Sequence, residues 1–241
     1  MMQKNVVIAG YARSPFTFAH KGEMVKLRPD EMAAQVVRGL MERSGIDAKD
    51  IEDLIVGCAF PEGEQGLNVA RLIGFLAELP IAVAGTTVNR FCGSSMQAIH
   101  MAAGAIQLDA GEAFICAGIE SMSRIGLGAN ITPGTGSPRP DSWTIDMPNQ
   151  FEGADRIARN RGLSRAEIDA FGLSSQQKAR AAVDEGRFKR EITAVKAPVL
   201  DEEGNPTGET RLVDSDQGLR DTTLEGLAKL KPVLEDGLHT A

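Results

Sequence analysis

Short apolar runs alternate with stretches of helical periodicity through the first half of the chain. Four runs predict buried strands, at Val6–Ala9, Asp53–Ala59, Thr86–Val88 and Ala113–Ala117. Between them, apolar residues recur every third or fourth position and predict helices after Asp30, Asn68 and Cys92. This β-α-β-α-β-α-β order indicates an α/β layered domain with right-handed crossovers between its strands.

Local sequence signals mark where these helices begin and end. Gly45 follows the apolar face of the first helix and predicts its C-terminal glycine. Asn68 is the predicted N-cap of a helix over Val69–Leu79, and Pro80 ends that helix.

The composition changes after Arg124, where Gly, Pro, Ser and Thr crowd residues 126–149. This change predicts a boundary into an inserted region. A capping box that begins at Ser164 supports the second of the helices predicted beyond the boundary. The predicted elements there are helices over Phe151–Arg161, Ser164–Glu185 and Thr223–Leu230, and strands at Ile192–Leu200 and near Thr210–Val213.

Cys92 lies where the strand ending at Val88 becomes a helix of small residues. The first N–H groups of a helix have no intrahelical partner and its dipole is positive there, so a thiolate is stabilised and becomes a better nucleophile. A buried cysteine that only packs is equally compatible with this local pattern, so both interpretations stay open on the pattern alone.

The helix carries apolar residues at helical spacing: Met96, Ile99, Ala103 and Ile106. Because polar side chains interrupt the uncharged run from Phe91 to Leu108, the sequence favours a buried helix over a membrane span.

Composition limits which partners the protein can bind and which cellular compartment it suits. The 241 residues carry a net charge of −7, which argues against general binding to nucleic acids or to anionic membranes. Cys58, Cys92 and Cys116 are widely spaced and lack histidines at metal-ligand spacing, so neither a disulfide framework nor a metal site is expected. Cys58 and Cys116 lie in apolar strands and are predicted to be buried and inert. The N-terminal apolar run is too short for the core of a signal peptide. Together with the cysteine pattern, this predicts a soluble, cytoplasmic protein.

Several long motifs, taken in order along the chain, resemble the thiolase family. The resemblance covers nearly the whole chain and rests on ARSPF, RPDEMAAQVVRGLMERSGID, NVARLIGFLAELP, VNRFCGSSMQA, AGIESMSR, GLSRAEIDAFGLSSQQKARAA and TTLEGLAKLKPV. It implies a layered fold, a mixed sheet flanked by helices, with an inserted loop domain. The implied divisions are an α/β core over residues 1–124, a coenzyme A-binding loop domain over 125–220, and a return segment over 221–241.

The resemblance also assigns roles to two residues. Cys92 is implied to be the nucleophile that accepts an acyl group as a thioester, and its backbone N–H is implied to help hold the developing oxyanion. Arg220, which precedes Thr222-Thr223-Leu224, is implied to contact the nucleotide of coenzyme A, for which a cationic and planar side chain is suited. Coenzyme A and acyl-CoA are thus expected as substrates, with no permanently bound cofactor, in fatty acid degradation or related lipid metabolism.

The chain departs from the family pattern in two places. Residues Met147–Asp155 replace the Met-Gly pair and Thr-Ala-Glu run that line the family's acyl pocket. Family members also continue into a second domain that supplies an Asn, the His of a Gly-His-Pro motif and a second Cys as acid/base. The three histidines here are not expected to replace them, since His100 lies roughly 12 Å from Cys92 along the helix and His20 and His239 lie in a polar loop and at the chain end. The chain alone is therefore expected to be nearly inactive.

Two other functions stay open at this point. A thiolase-like protein that binds or transfers lipids or acyl-CoA without turnover would suit the two departures. A related condensing enzyme such as a ketoacyl synthase is disfavoured by the VNRFCGSSMQA context and by the long inserted region. The resemblance further implies a homo-dimer or homo-tetramer, with Thr86–Asn89 expected at the two-fold interface.

Overall fold

A computed structural model describes residues 4–126 and 150–240 of the chain. Three parallel strands form a sheet in the order β2-β1-β3: β1 (Asp53–Gly57), β2 (Ala84–Val88) and β3 (Phe114–Gly118). Their last residues lie side by side, because Gly57 of the central strand pairs in register with Val88 and with Gly118. All three were predicted from the apolar runs, with ends displaced by one or two residues.

The central strand β1 shows directly how helices cover both faces of the sheet. Successive strand residues point to opposite faces, and Leu54 and Val56 are completely buried against one cluster while Ile55 is buried against another. The first cluster includes residues of α1 (Pro29–Ser44) and α2 (Val69–Leu76), and the second includes Ala98 and Ala102 of α3 (Ser94–Gln107). A strand buried on both faces explains why the residues from Leu54 to Ala59 form an uninterrupted apolar run.

The helix ends agree with the sequence at one position and differ at another. Gly45 ends α1 with φ of 67°, and its N–H donates to the Met41 carbonyl, as expected for a glycine C-cap. Asn68 precedes α2 but makes no side-chain capping bond. Its amide donates to the Gly85 carbonyl and its oxygen accepts from the Thr87 hydroxyl, so the side chain binds β2. The Thr87 hydroxyl in turn accepts from the Ala70 N–H in the first turn of α2, at 3.1 Å, in place of the predicted cap.

The strand predicted at Val6–Ala9 is wrong. These residues form no strand, and Val7 and Ile8 are 76% and 77% exposed. An apolar run becomes a buried strand only when a sheet edge and a covering layer are available, and periodicity cannot supply either. Here the segment is held through Lys4, whose backbone N–H and carbonyl bond the Gln107 side chain at the end of α3.

An antiparallel pair, β4 (Val195–Leu200) and β5 (Pro206–Val213), groups with the three-stranded sheet in one compact unit. Val195, Ala197 and Val213 are buried against Met24 and Leu27. Arg13, in the ARSPF segment, donates two hydrogen bonds to the Asp216 carboxylate at 2.7 and 2.8 Å and one to Glu191 at 2.7 Å. Asp216 has a lowered pKa mainly because it accepts these bonds from Arg13.

The second compact unit contains α4 (Gln150–Asn160), α5 (Arg165–Asp184) and α6 (Leu224–Ala228). The predicted capping box at the start of α5 is present, since Ser164 and Glu167 exchange side-chain to backbone hydrogen bonds. Asp155 is buried and accepts bonds from the Leu238 and His239 N–H groups, with the His239 ring nitrogen 2.5 Å from the same oxygen. These contacts lower the pKa of Asp155, the His239 side chain contributing most.

Among the described residues, the two units are 4–126 with 190–218, and 150–189 with 219–240. The sequence-based division at residues 124 and 220 stays a prediction, and residues 127–149, which include Met147–Asn149 of the altered pocket segment, lie outside the described residues. Within the described ranges, every helix is too short or too polar to cross a lipid bilayer.

Candidate active site

The first turn of α3 lies directly on the carboxyl ends of the parallel strands. At Gly57, a Cβ atom would come within 2.4 Å of the Ser94 carbonyl carbon and of the Ser95 nitrogen. At Gly118, a Cβ would come within 2.8 Å of the Ser95 Cβ. These paired glycines therefore permit an approach that side chains would prevent, at the edge of an α/β sheet where ligands commonly bind.

Cys92 is exposed and lies two residues before this helix, with the N-cap residue Gly93 between them. We call residues 90–94 the Cys92 turn. Within it, Phe91 has φ of 47°, a left-handed conformation that non-glycine residues adopt at some cost in free energy. A strained residue next to an exposed thiol at a helix start indicates a turn whose geometry is maintained by the contacts around it.

Ser94 supplies the first of those contacts. Its hydroxyl accepts a hydrogen bond from the Arg90 N–H at 2.8 Å and donates one to the Phe91 carbonyl at 2.5 Å. The Ser94 N–H also donates to the Phe91 carbonyl, at 3.0 Å. Ser94 is only 4% exposed, so these bonds are shielded from water and close the turn from its inner side.

Asn89 supplies the second. Its side-chain oxygen accepts from the Phe91 N–H at 2.8 Å, and its amide donates to the Ala59 carbonyl at 3.1 Å. The Ala59 N–H in turn donates to the Glu120 carboxylate at 3.0 Å. One side chain thus joins the Cys92 turn to the loops that follow β1 and β3.

Gln65 organises those loops from the inside and is completely buried. Its amide donates to the Glu120 carboxylate at 2.5 Å and to the Phe60 carbonyl at 2.9 Å, and its oxygen accepts from the Ser121 N–H at 2.7 Å. Every hydrogen-bonding atom of the buried amide therefore has a partner, as a stable polar network in a protein interior requires.

The other two cysteines were predicted to be buried. Cys58 is buried as predicted, and Cys116 is partly buried. Cys58 is 1% exposed, and burial, with a smaller contribution from Glu120, raises its pKa to about 11. Cys116 is partly buried and its pKa is also raised, chiefly by burial. Neither is suited to form a thiolate at neutral pH, so Cys92 is the thiol in this chain that is accessible for chemistry.

The remaining sequence-predicted residues lie elsewhere. Arg220 is exposed in the second unit, where its backbone N–H donates to the Gln176 side chain of α5 at 3.4 Å. His100 is exposed on α3, and the His20 N–H bonds the Ser123 hydroxyl in a surface loop. Among the residues that the structure describes, no cluster of three or more His, Cys, Asp or Glu side chains could hold a metal ion.

Helix α3 packs on the sheet through its small residues and not through its larger apolar ones. Ser94, Ala98 and Ala102 face inward, whereas Met96 is 54% and Ile99 43% exposed. Small side chains let the helix lie close to β1 and β3, as the Gly57 contacts also show. The larger apolar residues consequently face away from the sheet.

Sequence reasoning did not single out Asn89, Gln65 or Glu120. A signal was present, because Asn89 and Glu120 are polar residues within two positions of the carboxyl ends of β2 and β3, where side chains converge at one sheet edge. Gln65 carried no such signal, since its role depends on burial that only the folded chain produces.

Comparison with known proteins agrees with this architecture. The family model described as "Thiolase, N-terminal domain" matches residues 6–241. A 3-ketoacyl-CoA thiolase of Bacillus subtilis is 38% identical over 249 residues, covering 100% of this chain and 62% of the relative. Proteins with the same name from Acinetobacter baumannii and Psychrobacter arcticus are 40% and 38% identical over 233 residues, covering 96% of this chain and 58% of each relative.

The chain therefore belongs to the thiolase family and carries that family's N-terminal domain. This confirms the family and the α/β class inferred from the motifs around Cys92. The chain spans about three fifths of the length of these relatives.

Proposed function

We propose that this chain supplies the acyl-accepting cysteine of a thiolase that transfers acyl groups between acetyl-CoA and a 3-ketoacyl-CoA. The observation that carries the proposal is the position of Cys92, exposed at the start of α3 and above the carboxyl ends of three parallel strands. The relatives' name, 3-ketoacyl-CoA thiolase, supports the substrate class.

In the proposed half-reaction, the Cys92 thiolate attacks the carbonyl carbon of an acyl-CoA thioester. A new bond forms between the Cys92 sulfur and the acyl carbon, the bond between that carbon and the CoA sulfur breaks, and the CoA thiolate leaves and takes up a proton. The backbone N–H of Cys92 is the group proposed to help hold the negative oxygen while both bonds are partly formed. The Gly93 and Ser94 N–H groups instead donate to the Arg90 and Phe91 carbonyls.

The rest of the reaction requires groups beyond this thiol. As the resemblance implies, an acid/base pair from the family's second domain would take and return the protons. General acid/base groups contribute about 10² to 10⁴ in rate, so we expect this chain alone to acylate slowly and to turn over hardly at all. We propose that Arg220 contacts the coenzyme A nucleotide, which its exposed position in the second unit permits.

Mass spectrometry of the intact chain after incubation with acetyl-CoA tests the proposal. We expect one acetyl group per chain, located on the peptide that contains Cys92 and lost in Cys92→Ser. Cys58→Ser is the matched control, since it removes a thiol that lies near the same strand ends but is buried. Saturable acyl-CoA binding with no adduct would instead favour a binding protein. Because slow acylation is expected of this chain alone, the incubation is prolonged and repeated with a full-length form, and absence of an adduct there, while iodoacetamide still alkylates Cys92, would refute the proposed function.

We further propose that the protein acts in lipid metabolism in the reducing cytoplasm, as a homo-dimer or homo-tetramer. None of its three cysteines, all of them described, forms a disulfide. The segment Thr86–Asn89 is partly or fully exposed along β2, an outer strand of the three-stranded sheet, which would allow pairing with a second copy. Sedimentation velocity, in which a monomer at micromolar concentration would contradict the oligomer, tests this part.

A further inference from the structure

Asn89 connects a strained turn to a buried polar network. Phe91 is left-handed at φ of 47°, and the Phe91 N–H donates to the Asn89 side chain. A residue in this conformation persists only where surrounding contacts over-determine it. Two side chains, Ser94 and Asn89, contact this turn in addition to the backbone bonds that the Gly93 and Ser94 N–H groups donate to Arg90 and Phe91.

The nitrogen of the Asn89 amide begins a series of hydrogen bonds that runs from the turn to the loops after β1 and β3. It donates to the Ala59 carbonyl, the Ala59 N–H donates to Glu120, and Glu120 accepts from the fully buried Gln65. Gln65 also bonds Phe60 and Ser121 in the two loops that follow β1 and β3. Each bond in the chain is 3.1 Å or shorter, so the Cys92 turn is joined to the sheet ends by side chains as well as by its own backbone.

We propose that Asn89 is a positioning residue for Cys92, holding the thiol against the start of α3 through Phe91 while the Gln65–Glu120 pair holds Asn89 in place. The inference rests on the proposed nucleophilic role of Cys92 for its catalytic meaning. Its physical content, that Asn89 governs how Cys92 is presented, is measurable without any acyl-CoA.

The same chain contains a matched control. Gln107 also has an amide side chain with two backbone hydrogen bonds. It accepts one from the Lys4 N–H at 3.2 Å and donates one to the Lys4 carbonyl at 2.6 Å. It lies at the opposite end of α3, about 20 Å from Cys92 at the helical rise per residue. Asn89→Ala and Gln107→Ala therefore each remove two comparable bonds, but only the first change touches the Cys92 turn.

The experiment is iodoacetamide alkylation at neutral pH, followed peptide by peptide so that all three cysteines report at once. We expect Asn89→Ala to slow alkylation of Cys92 by about three- to tenfold, the range for loss of one or two hydrogen bonds. Gln107→Ala should leave the Cys92 rate within about twofold. Glu120→Gln, which keeps an acceptor for Ala59, should fall between the wild type and Glu120→Ala.

Buried Cys58 separates positioning from general loosening of the fold. If Asn89→Ala changes only the Cys92 rate, the inference holds. It is overturned if the Cys92 rate is unchanged, if Gln107→Ala has the same effect, or if Cys58 becomes reactive in parallel. Failure of acetyl-CoA to acylate Cys92 in the full-length form would instead remove the proposed function and leave the alkylation result to decide the role of Asn89.

Discussion

Cys58 and Cys92 follow neighbouring strands of one sheet and have opposite environments. Cys58 comes directly after β1, is 1% exposed, and is surrounded by the apolar cluster beneath α1 and α2. Cys92 comes after β2, beyond a left-handed residue, and is exposed at the start of α3. The two thiols follow strands of the same sheet, but a layer of helices covers the strand end at Cys58 and leaves Cys92 exposed.

The difference shows what makes a cysteine chemically available in this fold. Burial disfavours the charged thiolate and raises the pKa of Cys58 to about 11. The turn at Arg90, Phe91 and Ser94 instead places Cys92 outside the core, where its side chain is exposed just before α3. Residue type alone therefore does not decide whether a thiol is accessible, whereas the turn that precedes the helix does.

The largest expected effect is the difference in alkylation rate between the two thiols in the native protein. We expect iodoacetamide to modify Cys92 at least about 10³-fold faster than Cys58, because Cys58 reacts only when the core opens locally or globally. Quantitative mass spectrometry of the two peptides over time measures the ratio.

The control for this ratio is the same reaction in unfolding concentrations of urea. There the rates should converge, since burial and the helix start are both lost. Native rates within about tenfold of each other would show that the core around Cys58 opens far more readily than its burial implies.

The next effect concerns the close approach of α3 to β1. Gly57→Ala should lower the free energy of unfolding by about 1 to 3 kcal/mol, because the new Cβ meets backbone atoms of Ser94 and Ser95 that cannot rotate away. It should also slow alkylation of Cys92, whose turn would have to move with the helix. Urea unfolding of each variant measures the first quantity.

Gly104→Ala is the matched glycine substitution within α3. A Cβ there meets nothing within 4 Å, so the helical preference of alanine should raise the free energy of unfolding by about 0.5 to 1 kcal/mol. Equal effects of the two substitutions would contradict the packing of α3 on the strand ends.

The last expected effect is a pH dependence that belongs to Cys58. The unfolded thiol loses its proton near pH 8.5, whereas the folded thiol keeps it until about 11. Between these values the unfolded state binds fewer protons, so the free energy of unfolding should fall as pH rises, by about 1 to 2 kcal/mol. Urea unfolding at pH 8 and at about pH 10.5 measures this fall.

Cys58→Ala isolates that contribution, because the comparison is made within each variant between the two pH values. We expect the free energy of unfolding to fall less with rising pH in Cys58→Ala than in the wild type. Cys116→Ala should reduce the fall in the same way but by a smaller amount, since burial also raises the pKa of Cys116. The same fall in Cys58→Ala and in the wild type would contradict a buried, protonated thiol at this position.

Helix α3 shows how far sequence reasoning reached and where it stopped. Its extent and its start beside Cys92 were predictable, because small and apolar residues recur at helical spacing after a Gly/Ser turn. Its orientation was not, since Met96 and Ile99 carry the strongest apolar signal yet face away from the sheet. Close packing against Gly57 and Gly118 selects the face with the smallest side chains.

By itself the sequence determined three parallel strands, their helices, the family and the cysteine at the helix start, because each depends on local periodicity or on contiguous motifs. Only the tertiary structure decided that Val6–Ala9 is exposed and that Asn89 is joined through Ala59 and Glu120 to Gln65. These features depend on which distant segments cover a strand end, and that is settled by burial and hydrogen bonding between residues far apart in the chain.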